Sequence, residues 1–137
     1  MKKFLLLIFL FFIAFQTVNA DIILDIDKER QICLDTNFQS DYIMAQCNHK
    51  AIEKYNAEIN ILLKKIETKL TKEQYSDLIK SQSKWESFIK SDNLLLNNTL
   101  ENKLYFEPYL ISSNIKFQNY KQRYEELSII YEYIKEF

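Results

Sequence analysis

Hydrophobic residues fall along this chain in two distinct patterns. Phe4 to Phe15 is an unbroken apolar run behind Lys2 and Lys3. From Met44 onward the apolar positions recur instead at steps of three and four. Met44, Cys47, Ala51, Tyr55, Ile59, Leu62, Ile66 and Leu70 share one helical face, and Lys50, Lys54, Lys64, Glu67 and Lys69 occupy the other. The spacing predicts a long helix starting near Ser40 or Asp41. Thr71-Lys72-Glu73-Gln74 has the form of a capping box, with a Thr cap and a Gln three positions later. The helix it opens presents Tyr75, Leu78, Gln82, Trp85 and Ile89, with Phe88 alongside. Two long helices joined by almost no loop are expected to pack antiparallel, and this hairpin is the expected organising unit.

The pattern is less regular on either side. Asp21 to Ile32 sets Ile22, Ile23, Leu24 and Ile26 against Asp25, Asp27 and Glu29, which fits a short strand or an extended arm. Asp35-Thr36-Asn37 supplies side chains that cap or turn. Ser91-Asp92-Asn93 breaks the second helical pattern, and Asn97-Asn98-Thr99 interrupts it again. Glu107-Pro108 marks a new start, because the residue before proline avoids helical geometry and proline suits a first turn. Ile111, Ile115, Tyr120, Tyr124, Leu127, Tyr131 and Ile134 then keep a helical spacing towards Phe137.

The first apolar run has a different meaning. A positive start, a run of about twelve apolar residues and Val18-Asn19-Ala20 follow the grammar of a secretory leader, with cleavage expected after Ala20. A spanning helix needs roughly 20 such residues, so no stable membrane anchor is expected after cleavage. No cysteine follows Ala20 to carry a lipid. The expected mature protein is therefore a single exported domain, residues 21–137, periplasmic or secreted. Its balance is 16 basic against 19 acidic residues, or −3, once Lys2 and Lys3 are set aside. That sign argues against nucleic acid and anionic membrane as partners and is compatible with a basic protein.

Composition narrows the fold. Glycine is absent and proline occurs once, so the tight turns that reverse strands are hard to build, whereas helices need neither residue. The expected fold is an all-α, small helical bundle built on the long antiparallel hairpin. Cys33 and Cys47 are the only cysteines, and in an exported chain that spacing predicts a disulfide clipping the bundle.

Enzyme chemistry finds no support. His49 is the sole histidine, flanked by Asn48 and Lys50, and reads as a solvated helix residue. One histidine and two cysteines leave zinc without a ligand set, and a chain without glycine has no phosphate-binding glycine loop. Glu125-Glu126 and the Asp25/Asp27 pair are the densest carboxylates and read as solvated surface. No cofactor or metal is expected. Trp85, with Leu78, Gln82 and Ile89, reads as helix core. Tyr120, Tyr124 and Tyr131 are expected in the core too, while the remaining tyrosines of the last helix, Tyr109 and Tyr133, exceed what one buried stripe requires.

Cys33, Met44-Ala45-Gln46-Cys47, Asn56-Ala57-Glu58-Ile59-Asn60, Gln82-Ser83-Lys84-Trp85 and Tyr120-Lys121-Gln122-Arg123 with Leu127 follow in an order and spacing that resembles the LprI-type lysozyme-inhibitor domain. The resemblance covers most of residues 32–136 and makes Met44, Asn60, Gln82, Trp85 and Arg123 the motif residues. The family pattern has Asp where Asn56 stands and Leu where Ile59 stands. Its two later cysteines and its Gly-Gly are missing here, which fits the loss of a separate second disulfide and supports the Cys33–Cys47 pairing.

What the resemblance implies is an exported protein, not an enzyme, that binds lysozyme and occludes its cleft. The partner it implies is a basic c-type lysozyme, whose charge would draw an acidic helical plug. Residues 93–107, ending in Tyr105-Phe106-Glu107, form the least regular stretch and are the expected contact region. The alternative is an envelope interaction module, an immunity protein or adaptor with a non-lysozyme partner, motivated by the surplus tyrosines.

Overall fold

The computed structural model describes residues 17–100 and 107–136. Four helices account for nearly all of them: α1 (Thr17–Thr36), α2 (Asp41–Glu67), α3 (Lys72–Leu100) and α4 (Glu107–Ile134). No strand occurs among the described residues. The all-α bundle and its disulfide are therefore as expected. Tyr105, Phe106 and residues 1–16 of the expected leader lie outside the described residues, and Thr17–Ala20 begin α1.

Local chemistry explains the helix ends. Ser40 is extended, and its hydroxyl accepts from the Ile43 amide at 3.4 Å, satisfying one of the free donors at the start of α2. At the next turn the capping box closes in both directions. The Gln74 amide donates to Thr71 Oγ1 at 3.3 Å, and the Thr71 amide donates to Gln74 Oε1 at 2.9 Å. Pro108 sits in the first turn of α4, where its missing N–H costs nothing.

Two segments differ from the sequence pattern. Asp21 to Ile32 is neither strand nor extended arm but most of α1. Its inward positions include Asp27 and Arg30, which are polar but paired, so the helical period is invisible in hydrophobicity alone. Ser91-Asp92-Asn93 and Asn97-Asn98-Thr99 do not break α3 either. Asp92 accepts from Asn119 of α4 at 3.5 Å, and Thr99 Oγ1 donates back to the Leu95 carbonyl at 2.7 Å.

The packing adds a feature that the loop lengths do not reveal. Helices α2 and α3 run in opposite directions, but the closest packing in the bundle is between α2 and α4. Gln46 meets Tyr109, Asn48 meets Ser113, Tyr55 meets Phe117 and Tyr124, and Lys65 meets Tyr131. Position numbers rise together, so this pair is parallel. Helix α1 runs against both, and α3 lies antiparallel on α4 through Gln82–Arg123 and Trp85–Tyr120. The core is Ile26 from α1, then Ala51, Ile52, Tyr55, Ile59, Leu62 and Ile66 from α2, with Phe117, Tyr124 and Leu127 from α4. Each large side chain there contributes about 1.5–3 kcal/mol by leaving water.

The disulfide joins Cys33 in α1 to Cys47 in the second turn of α2, with Cα atoms 5.8 Å apart. It closes a loop over a sequence separation of 14 and restricts the unfolded chain more than it adds packing. Replacing both cysteines by serine is expected to lower stability by about 3 kcal/mol while leaving the helices formed. Urea unfolding followed by circular dichroism measures both quantities, and an unchanged midpoint would contradict the assignment of that role.

Candidate partner-binding surface

Helix α2 carries Tyr42, Gln46 and His49 at steps of four and three, so they form one stripe at the disulfide end. Tyr109, in the first turn of α4, lies across that stripe. Its ring stacks on Tyr42 with centroids 6.1 Å apart and planes 18° from parallel, and it sits 5.6 Å from the His49 ring. Its hydroxyl accepts from Gln46 Nε2 at 3.3 Å and shares a 3.0 Å hydrogen bond with His49 Nε2. Tyr42 and Tyr109 remain exposed on their outer faces, and Phe38 in the preceding turn is 68 % exposed. Glu107 is exposed two residues before Tyr109, beside the expected contacts Tyr105 and Phe106 that fall outside the described residues.

His49 is thus half-buried rather than solvated. Burial is the main influence that lowers its pKa, Lys116 adds to the effect, and Glu53 opposes it. Burial thus disfavours the charged imidazolium, which suits a ring hydrogen-bonded to a tyrosine hydroxyl.

Behind this surface lies a buried polar network that fixes the three helices at this end. Asn48 is fully buried; its Oδ1 accepts from Arg30 Nε at 2.7 Å, and its Nδ2 donates to Ser113 Oγ at 2.9 Å. Ser113 in turn donates to the Leu110 carbonyl, and Arg30 Nη2 reaches Asn114 at 2.7 Å. The Arg30 guanidinium also lies 3.9 Å from the Phe117 ring centre. Its burial lowers the arginine pKa, and nearby Asp27 counters that. Among the described residues no buried side-chain polar atom of this cluster is left without a hydrogen-bond partner, which favours one docking register.

The motif residues divide between separate places. Gln82, Trp85 and Arg123 come together where α3 meets α4. Arg123 is only 4 % exposed, and its Nε and Nη2 donate to Gln82 Oε1 at 3.1 and 3.0 Å. Its Nη1 pairs with Glu126 at 2.8 Å. Trp85 is half-buried, edge-on to Tyr120 at 5.0 Å and 5.9 Å from the Arg123 guanidinium. Met44 is half-buried in the first turn of α2. Asn60 is exposed, and its Nδ2 donates to the Asn56 carbonyl of its own helix at 2.9 Å. Cys33 and Cys47 are in the disulfide. Among the candidate carboxylates, Asp27 accepts from Tyr55 Oη at 2.8 Å and pairs with Lys121, so it is occupied structurally.

Tyr109 stands out in the sequence as a tyrosine beyond what the buried stripe requires, whereas Arg30 and Asn48 do not stand out there as members of these clusters. Asn48 falls on the apolar stripe of α2, and a polar residue there was a usable signal. Arg30 offered none, because its partners come from α2 and α4.

Residues 33–133 match the model of the family described as Lysozyme inhibitor LprI. No curated protein and no solved structure matches the chain.

Two outcomes test the geometry. His49 is the only histidine, so its ring protons in NMR should report a midpoint below the ordinary value of about 6.5. The unfolded chain then binds the proton first as pH falls, so this contribution to stability is present above about 6.5 and is lost as pH drops towards the folded midpoint. A midpoint above the ordinary value would contradict the burial described. Gln82→Met removes both acceptor contacts from a buried guanidinium, and denaturant unfolding is expected to show a loss of about 1.5–3 kcal/mol.

Proposed function

The chain belongs to the LprI family of lysozyme inhibitors, and we propose that it is exported and blocks a basic, c-type lysozyme by covering the active-site cleft. Family membership is the observation that carries this reading. The charge agrees with it: without Lys2 and Lys3 the chain holds 16 basic and 19 acidic residues, and such a balance draws a cationic protein by long-range attraction. The leader pattern of residues 1–20 supports export, and no helix among the described residues is long and apolar enough to cross a membrane.

Inhibition of this kind requires a rigid body with exposed anchors. Helix pairs held by a disulfide and by buried hydrogen bonds lose little freedom on docking, so less of the contact energy is consumed in ordering. No group in the inhibitor needs to react, because filling the cleft excludes the glycan.

A second reading rests on the other end of α4. Ile129 and Tyr133 are four residues apart on one face, and Tyr133 is 75 % exposed. That face fits an envelope adaptor or immunity protein with a non-lysozyme client. Variants at Ile129 and Tyr133 that lose a defined client while keeping lysozyme inhibition would favour it.

The deciding assay is clearance of cell-wall suspensions by c-, g- and i-type lysozymes with the purified protein present. Slowed clearance by a c-type enzyme at micromolar inhibitor, weakening as salt is raised, is the expected result. Unchanged clearance by all three types would refute the proposal.

A further inference from the structure

The two ends of this bundle differ in charge and in apolar exposure. Because α2 and α4 run parallel, their N-termini share one end, and α3, running the other way, finishes there. Among the described residues this end is made of 33–49 and 107–115, which α3 approaches with its last turn. These stretches carry Asp35, Asp41 and Glu107 and contain no Lys or Arg, and Arg30, Lys50 and Lys116 border them. Residues 62–80 and 128–136 make the opposite end, and there Lys64, Lys65, Lys69, Lys72, Lys80 and Lys135 are mixed with acids.

The same acidic end exposes Phe38, Tyr42, Ile43 and Tyr109. Tyr42 and Tyr109 stack on one another, and Gln46 and His49 hold the Tyr109 hydroxyl, so these rings are ordered before any partner arrives. Ordered tyrosines offer a large apolar contact area at small entropic cost. Carboxylates beside aromatic faces also suit arginine and lysine side chains, which can pair with the acids and lie over the rings.

We infer that this acidic aromatic end is the docking face for a basic protein, with Phe38, Tyr42 and Tyr109 as its anchors and Glu107 as a steering charge. The inference rests on the lysozyme-inhibitor reading, and it makes the cationic rim of a c-type lysozyme cleft the occupant. Charge complementarity selects that occupant. A second copy of the chain would oppose carboxylates to carboxylates, and an anionic membrane would be repelled. Among the described residues the face takes in the turn before α2, the first two turns of that helix and the first turn of α4.

The test uses the purified, disulfide-bonded protein and a basic c-type lysozyme, reading inhibition and surface-plasmon-resonance kinetics. A Phe38→Ala/Tyr42→Ala double variant is expected to weaken inhibition by about thirty-fold or more, as loss of aromatic anchors does. Glu107→Lys should slow association several-fold at low salt, with the difference shrinking as salt rises. Tyr133→Ala, at the opposite end, should inhibit as the parent does, and circular dichroism should show all variants folded alike.

Full inhibition by both the double variant and Glu107→Lys would overturn the docking face while leaving the inhibitor function standing. A parent protein that inhibits no lysozyme would overturn both. Equal weakening by Tyr133→Ala, or a parent dimer that the double variant converts to monomer, would also overturn it.

Discussion

Tyr55 imposes the condition that the rest of the bundle meets. Its ring is fully buried between Phe117 and Tyr124 of α4, with centroid distances of 5.9 and 5.7 Å. A hydroxyl in that position must find an acceptor, since an unsatisfied one would cost about 1–3 kcal/mol. Asp27 of α1 supplies it at 2.8 Å, and Lys121 of α4 balances the carboxylate. Burial, together with the hydrogen bond to Asp27, pushes the Tyr55 phenol well above its ordinary pKa, so it stays a donor. One side chain of α2 thereby fixes where α1 and α4 sit. A slip by one turn of either helix would leave a buried hydroxyl or a half-buried charge without its partner.

The disulfide and the Arg30–Asn48–Ser113 network extend the same alignment towards one end. The covalent link alone leaves rotation of α1 about its axis undetermined. Asn48 removes that freedom, because its amide must face a donor from α1 on one side and an acceptor from α4 on the other. Arg123 does the equivalent work for α3, through Gln82 and through the half-buried face of Trp85. Apolar packing supplies most of the stabilisation, and these polar contacts select one arrangement from several that would bury similar area.

A bundle locked in this way suits a protein that binds by shape. The aromatic surface at the disulfide end is braced from below: Tyr109 rests on Gln46 and His49, and Asn48, next to His49, is tied to α1 and α4. An inhibitor must present its anchors in a fixed arrangement against an enzyme cleft. For the proposed docking, rigidity there is as important as the identity of the side chains, and the carboxylates around it would steer which partners approach.

Much of this was legible in the chain itself. The three-to-four spacing from Met44 to Ile66, the Thr71–Gln74 box and Pro108 are local features, governed by contacts within a few residues, and each appears where the pattern places it, whereas Leu70 at the end of the stripe falls in the turn after α2. The Cys33–Cys47 pairing was legible because only two cysteines exist. The family was legible from short motifs held in order. What the pattern could not carry was any position whose partner lies on another helix. Asp27 and Arg30 look like solvent-facing residues of a strand or arm until Tyr55, Asn48 and Lys121 are brought to them, and then α1 is helical. Ser91-Asp92-Asn93 looks like a break until Asn119 and the packing on α4 sustain the helix. The parallel pairing of α2 with α4 and the clustering of Tyr42, His49 and Tyr109 were decided only by the tertiary structure. Hydrophobic periodicity records which face of a helix turns inward, but it holds no information about which helix that face meets.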